Sequence, residues 1–545
     1  MNKNGLIYDV DGKPKTSELI VFALQQVLAI LSATMLVPSL IGLPTQIPSA
    51  ILGAGIGTIV YLLFTKFKSP VFLGSSFSFI GPLVCAVAFG YCGILVGSIF
   101  AGLVYVVIAI IIHFAGTKWV GKLMPPVIIG PTVALIGLGL AGSAMDSIVS
   151  ASGVANMSIA NLYAPELVEG GETLGIVNSG YNLVALLCGL IAFLTIVICS
   201  SQKKFKTMKL IPFIIGIGAG YLAASIFSII GYTADVDYLK IINWGPIVKT
   251  FVNKEGAFAG VTAFLDYPRF ALIGAIKEMA TGEVGPEIIA ANNSASTLTG
   301  VGVAEIAIAF IPMALVVFAE HIADHKNLGS IIGRDLVEGE PGLEKTLLGD
   351  GVGSIAGTIF GICPNTTYGE SVGCVAITKN ASIRSIFLAA CMCIVLAFLS
   401  PIMALLQTIP SCVMGGVCLT LYGFIAVSGL KMFKDIDLGD NKNLFTVSAI
   451  LISGIGQLAV KIPYQLATDG TVTKFIEVKN IATALILGIC VYAIMNAIEK
   501  WNAKNAPEEE EEKTPESLVA GAVAPEANFE LNKEEASAES TAAKE

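Results

Sequence analysis

Fourteen apolar runs recur along this 545-residue chain, most of them close to the 20 residues a helix needs to cross the roughly 30 Å hydrocarbon core of a bilayer. They fall near 19–41, 47–64, 70–89, 93–114, 121–142, 180–199 and 210–232. After a polar, mixed-charge stretch they resume near 304–325, 347–363, 366–380, 384–405, 411–431, 444–463 and 477–499. Several are short for a full span, which leaves the count soft by one or two. With 54% hydrophobic and 13% charged residues, against roughly 25% charged in soluble domains, the chain is not an ordinary soluble protein. It reads as an all-α polytopic membrane protein.

The formal charge of −9 is local. Twelve of the 41 acidic and three of the 32 basic residues lie from Asn505 onward, which leaves 29 of each in the rest of the chain. The body is neutral, and no nucleic-acid partner is expected. Residues 501–545, opened by the run Glu508 to Glu512, have too little apolar surface to order themselves and read as a disordered cytosolic tail. The 11 cysteines include Cys85, Cys391, Cys393 and Cys490 inside apolar runs without ligand spacing, as packing residues would be. The first apolar run is long enough to remain a span rather than a cleaved signal.

Orientation follows from lysine and arginine, which collect on the cytosolic side. An inner N-terminus predicts basic residues in alternate loops, and they are there: Lys66 and Lys68, Lys118 and Lys122, Lys203, Lys204, Lys206 and Lys209, Lys326 and Arg334, Lys379 and Arg384, Lys431 and Lys434. The loop from Ser143 to Gly180 carries Asp146, Glu166, Glu169 and Glu172 and no basic residue, as an outer loop should. Both termini are therefore placed in the cytosol and the protein in the cytoplasmic membrane.

Seven crossings invert whatever follows them, so two seven-span halves predict inverted repeats, a common transporter plan with substrate held near the midplane by broken helices. The expected organisation is a cytosolic N-terminus (1–17), a first repeat (18–232), an extracytoplasmic connection (233–303), a second repeat (304–500) and the tail. The third run of each half looks broken. Val71 to Pro82 reads V-F-L-G-S-S-F-S-F-I-G-P, and Pro364 to Lys379 reads P-N-T-T-Y-G-E-S-V-G-C-V-A-I-T-K. Gly and hydroxyl residues there favour short extended backbone satisfied by a ligand or a paired strand. The bland alternative, a small-residue packing stripe, does not explain Asn, Thr, Tyr and Glu together.

Half-helices meeting at such breaks aim N–H groups at carbonyl or anionic groups, and the backbone at Phe77 and Gly369 is the expected donor pair. Glu370 is a carboxylate at bilayer depth, which costs at least ~2.5 kcal/mol and marks a paired, protonated or substrate-binding group. Glu320 and Asp324, four apart, share one helix face, where mutual repulsion keeps a proton available. That suits a proton-coupled carrier. His321 and His325 lie on another face and read as supporting hydrogen-bonded residues, with His321 grouped with the proton-coupling acids. A metalloenzyme using both histidines lacks the H-E-x-x-H pattern and an evident third ligand, and a channel lacks a filter or regular polar stripe.

At these residues the sequence resembles the nucleobase:cation symporter family, which includes bacterial uracil permeases and nucleobase/ascorbate transporters. The motifs are L-Q-Q-V-L-A (Leu24–Ala29), A-T-M-L-V-P (Ala33–Pro38), G-S-S-F-S-F-I-G-P (Gly74–Pro82), A-E-H-I-A-D-H (Ala319–His325) and N-T-T-Y-G-E-S-V-G-C-V-A-I-T-K (Asn365–Lys379). P-S-C-V-M-G-G-V (Pro410–Val417) and L-Y-G-F-I-A-V-S-G (Leu421–Gly429) complete the set.

The resemblance covers roughly residues 17–500 and implies fourteen helices in core and gate domains. It also implies elevator-like, proton-driven uptake by a transporter rather than an enzyme, without cofactor and often as a homodimer. Glu320 and Glu370 would accept hydrogen bonds from ring N–H groups of uracil, the backbone at Phe77 and Gly369 would meet its carbonyls with Tyr368 nearby, and Tyr422 would line the gate side. Asp324, one turn after Glu320, would serve proton coupling. Sodium is the alternative coupling ion. Gln25-Gln26, Asp324 and Ser371 depart from the uracil-type pattern of Gln-His, His and Asn, and Asp324 keeps xanthine as the alternative substrate.

Overall fold

Long apolar segments become helices in lipid because nothing there but the chain itself can satisfy backbone N–H and C=O groups. The computed structural model describes residues 5–150, 182–202, 208, 211–252, 258–466, 472–478 and 480–504. The acidic stretch with Glu166, Glu169 and Glu172, the lysines at 203, 204, 206 and 209, and the tail from Asn505 lie outside the described residues.

The first half runs α1 (Thr16–Leu40), α2 (Ile47–Phe64), β1 (Leu73–Ser75), α3 (Ile80–Val87), α4 (Gly90–Ala115), α5 (Lys118–Leu123), α6 (Pro126–Gly139), α7 (Ala141–Ile148), α8 (Leu183–Ser201) and α9 (Pro212–Ala234). The connection holds α10 (Gly245–Phe251), α11 (Ala271–Thr281) and α12 (Pro286–Ala291). Then come α13 (Gly300–Ile332), α14 (Leu343–Phe360), β2 (Asn365–Thr367), α15 (Gly369–Thr378), α16 (Ile383–Ala397), α17 (Ser400–Gln407) and α18 (Ser411–Lys431). The half ends with α19 (Asn441–Ile455), β3 (Val460–Leu466), β4 (Val472–Val478) and α20 (Asn480–Lys504). Residues up to Met495 form one compact unit; of the second unit, from Asn496, the described part is the end of α20.

Helix starts follow their sequences. Pro126 and Pro212 open α6 and α9, where a missing N–H costs nothing. Asn182 caps α8, its Oδ1 accepting from Val184 N and Ala185 N at 2.9 and 3.0 Å. Among the described residues nine helical stretches are long and apolar enough to cross a membrane. Their outward faces carry side chains that water would not tolerate in such density, among them Val107, Leu194, Leu222 and Ile229, each more than half exposed. This is a multi-pass membrane protein.

Glycines let α2 and α14 cross with their backbones in contact. A Cβ at Gly53 would stand 2.2 Å from Gly357 O, and one at Gly57 would stand 2.8 Å from Gly353 O, so any larger residue forces the helices apart. Around this crossing α16 packs on α2 and α4 packs on α14, while α6 and α8 pack on α18 and α19 packs on α6.

The run 366–380 is a three-residue strand followed by a helix starting at Gly369, the broken form its sequence predicts. Two other segments differ from the sequence-based expectation. The run 444–463 ends as a helix at Ile455 and re-emerges as β3, paired antiparallel with β4. The connection at 233–303 carries three short helices and docks on α4, because the first turn of that helix needs acceptors: Glu278 of α11 accepts from Cys92 N at 3.1 Å. Beside it Tyr91 Oη donates to Glu287 at 2.6 Å, and Arg269 Nη1 lies 2.5 Å from the same carboxylate.

Candidate functional site

The centre of the molecule is a two-stranded ladder that joins the two broken segments. Leu73 opposes Thr367, Gly74 opposes Thr366, and Ser75 opposes Asn365, antiparallel. Ser76 N donates to Pro364 O at 3.0 Å and Tyr368 N to Phe72 O at 3.2 Å, which extends the pairing at both ends. Side chains complete it. Asn365 Nδ2 donates to Gly53 O at 2.9 Å, Leu73 N donates to Thr58 Oγ1 at 3.0 Å, and Tyr368 Oη donates to Ser75 O at 2.8 Å. Extended backbone this deep would be intolerable unpaired, so these bonds are what permits the breaks.

Counting forward from the opposed pair Gly74 and Thr366, Phe77 and Gly369 stand at the same step, and Ser78 and Glu370 at the next. The N–H groups of Phe77 and Gly369 have no acceptor among the described residues. Gly369 opens α15, whose N-terminal dipole adds positive potential there.

Against these breaks lies α13, a single 33-residue helix despite Pro312. It presents Glu320 and Asp324 to the ladder, one to each broken segment. Ser78 Oγ donates to Glu320 Oε2 at 3.2 Å, and Thr367 Oγ1 donates to Asp324 Oδ2 at 2.7 Å. Glu370 has no hydrogen bond to another residue among the described ones.

Glu320, Asp324, Glu370, Phe77, Gly369 and Tyr368 line one cavity of about 270 Å³. That is near the small end of the roughly 300–1,000 Å³ usual for ligand pockets, a space for one small ring. Its other walls are mostly apolar, with Leu28 and Ala29 of α1, Val133 of α6, Phe213 of α9, and Phe424 and Ile425 of α18, interspersed with Ser200, Asn327 and Ser428. The cavity thus offers carboxylate acceptors and backbone donors on one side and a greasy slot on the other.

Two expected residues stand elsewhere. Tyr422 does not line the cavity; it is buried behind Phe77, ring edge to face at 5.4 Å, and supports that wall from α18. His321 is turned away from the cavity, fully buried, with Nδ1 at 2.7 Å from Asp350 Oδ2 and Nε2 at 3.1 Å from Thr346 Oγ1. The helix turns it roughly 60–100° round from the acids, toward α14. His325 stacks on it at 4.1 Å, and its Nε2 lies 2.8 Å from Tyr61 Oη.

Sequence reasoning missed Ser78, Thr367 and Asp350. The first two were visible as hydroxyls in the broken segments, but their acid partners follow only from the ladder register. Asp350 lies inside the run 347–363, but its partner His321 comes from another helix and follows only from the fold. The departures at positions 26 and 371 meet each other: Ser371 Oγ accepts from Phe72 N at 3.2 Å, and Gln26 Nε2 reaches Ser371 O at 3.4 Å.

The sequence profile of the Permease family matches residues 17–265 and 294–462. The chain belongs to this permease family. It is a transporter rather than an enzyme. A uracil permease of Bacillus caldolyticus is 33% identical over 498 residues, covering 91% of this chain and 95% of that one. A uracil permease of Bacillus subtilis is 34% identical, covering 91% and 96%, and one of Escherichia coli is 31% identical, covering 90% and 94%. Among solved structures, the murine Solute Carrier 26 member A9 anion transporter in its inward-facing state shares the fold: TM-score 0.50, 11% identity, 90% of this permease and 69% of that chain.

Proposed function

We propose that this permease is a proton-coupled symporter that imports uracil across the cytoplasmic membrane. The observation that carries the reading is the alternation of groups on the polar wall of the cavity. Uracil presents N–H and C=O groups in turn around a flat ring; Glu320 and Glu370 accept from the N–H groups, and the backbone N–H groups of Phe77 and Gly369 donate to the carbonyls. Buried carboxylates left without a donor would penalise rings lacking the N–H, which gives selectivity. Uracil permeases similar over nine-tenths of the chain support the same substrate.

Proton coupling rests on Asp324 and Glu320. Both are acids on one helix face, each held by a single hydroxyl, so the second oxygen of each is open to a proton or to substrate. Sodium is the alternative coupling ion. His321 acts from behind them, by fixing α13 against α14.

The architecture we propose for this activity is fourteen membrane segments in two inverted repeats, 18–232 and 304–500, joined by the extracytoplasmic connection 233–303. The cytosolic N-terminus at 1–17 and the tail at 501–545 flank them. The ladder register supports it, because positions equivalent about Gly74 and Thr366 repeat one backbone device, with an open N–H at Phe77 and at Gly369. The packing supports it too: α16 on α2 answers α4 on α14, and α8 on α18 answers α19 on α6. The core domain would be α1 to α4 with α13 to α16. The gate would be α6 to α9 with α18 to α20, with movement between them as an elevator and a homodimer as the assembly. Basic residues at the ends of α2, α13 and α15 support a cytosolic reading of that side and of both termini.

The test is uptake of radiolabelled uracil by proteoliposomes under an inward proton gradient, challenged with excess unlabelled xanthine and with a protonophore. Uptake that collapses with protonophore and ignores xanthine is expected. Xanthine competition at equal concentration would move the substrate to oxidised purines, and uptake indifferent to protonophore but dependent on sodium would move the coupling.

A further inference from the structure

The first residues look like a plain polar terminus, yet Leu6 and Val10 are buried to 1% and 0% exposure. They are held because residues 7–10 run beside the turn that follows α15. Ile7 N donates to Lys379 O at 2.8 Å, Ala381 N to Tyr8 O at 2.9 Å, and Ile383 N to Val10 O at 3.0 Å, while Ser382 Oγ donates to Gly12 O at 2.7 Å. Tyr8 reaches the foot of α1, its hydroxyl donating to Glu18 and its ring standing edge-on to Phe22 at 6.1 Å. Arg334, just past the end of α13, places Nη2 at 3.0 Å from Asp9 Oδ2 and 3.1 Å from Asp11 Oδ2.

Each of the three elements held in this way lines the cavity: α1 through Leu28 and Ala29, α13 through Glu320 and Asp324, α15 through Gly369 and Glu370. Of these α15 has most need of an anchor. It is ten residues long, shorter than helices that hold by themselves, and its far end is held by the three-residue ladder and by Ser371, which meets Phe72 N and Gln26.

We propose that residues 5–12 form a strap, with Asp9, Asp11 and Arg334 as positioning residues, that fixes the near end of α15 against α1 and α13 and so sets Glu370 relative to Glu320. The strap deepens the uracil reading and rests on it for its transport readout. Exposed ion pairs alone are worth little; here the backbone ladder and the buried Leu6 and Val10 supply most of the hold, and Arg334 steers the strap to α13.

The consequence is in binding rather than in translocation, because preorganised groups lose affinity when they are released. Deleting residues 2–10 is expected to raise the KM for uracil about tenfold with Vmax within about twofold. Arg334→Gln and the double variant Asp9→Asn/Asp11→Asn should each raise it about threefold, the combination of the two should do no more than either, and Arg334→Lys should recover most of the loss. Hydrogen exchange of purified full-length protein gives a readout independent of substrate: amides of 369–378 should exchange faster in Arg334→Gln and in Ser382→Ala, with α2 and α14 unchanged. Unaltered KM together with unaltered exchange in 369–378 overturns the strap. Wild-type protein that takes up no uracil overturns the substrate reading instead, and the exchange measurement then decides the strap alone.

Discussion

The two broken segments share one backbone device and differ in chemistry. Both pass from a three-residue strand into a helix, and both offer an open N–H three residues beyond the centre of their ladder, at Phe77 and at Gly369. At the next step the first segment has a hydroxyl, Ser78, spent on Glu320, while the second has a carboxylate, Glu370, without a partner among the described residues. The device supplies donors wherever it is built, because exposed N–H groups come with any interrupted helix. Acceptor charge must come from side chains. A single neutral hydroxyl and a single acid at matched positions therefore turn a shared backbone device into a site whose two sides differ.

The strongest way to break this comparison is to remove the scaffold both segments share. Gly57→Leu would put a branched side chain where a Cβ alone already stands 2.4 Å from Asn365 Nδ2. We expect the α2–α14 crossing and the ladder to be lost together, and transport and binding with them; scintillation proximity binding and size-exclusion behaviour check it. Glu370→Gln keeps the shape and removes the charge of the second segment. Uracil binding should fall by about 100-fold or to nothing, since a hydrogen bond to a charged group contributes roughly 1.5–3 kcal/mol. Glu320→Gln should fall similarly, and wild-type-like binding in both would refute the site.

Smaller effects sharpen the contrast. Thr367→Val frees Asp324 from its 2.7 Å hydroxyl. Binding should drop only about threefold while the dependence of uptake on the proton gradient weakens more, read by comparing equilibrium binding with gradient-driven uptake. Ser78→Ala releases Glu320 from a longer, weaker bond of 3.2 Å. We expect a twofold to threefold loss of uracil affinity by isothermal calorimetry. Equal effects of the two hydroxyl variants on binding and coupling would mean that the segments are not divided in role as described.

Much of this was legible residue by residue. Apolar length gave the spans, lysine placement the proposed orientation, and Gly, Ser, Thr and Pro in 71–82 and 364–379 the breaks, because each of these signals is local and set by what lipid will accept. Glu320 and Asp324 could be put on one face by their spacing of four alone. The roles of Glu278 and Asp350 were not legible, since sequence can set an acid at a depth, as with Glu370, without saying what it meets.

What the sequence determined by itself is that the chain crosses a membrane many times, that two of its crossings are interrupted, and that carboxylates lie at their level. These follow from the properties of short segments in water and lipid. Tertiary structure alone decided which residues meet: that Leu73 opposes Thr367, that Thr367 holds Asp324 while Ser78 holds Glu320, that His321 turns to Asp350 and Tyr422 stands behind Phe77, and that Leu6 and Val10 are strapped beneath α15. The physical reason is that these contacts join residues up to hundreds of positions apart, and their geometry is fixed by how closely glycine-lined helices pack rather than by any pattern within one helix.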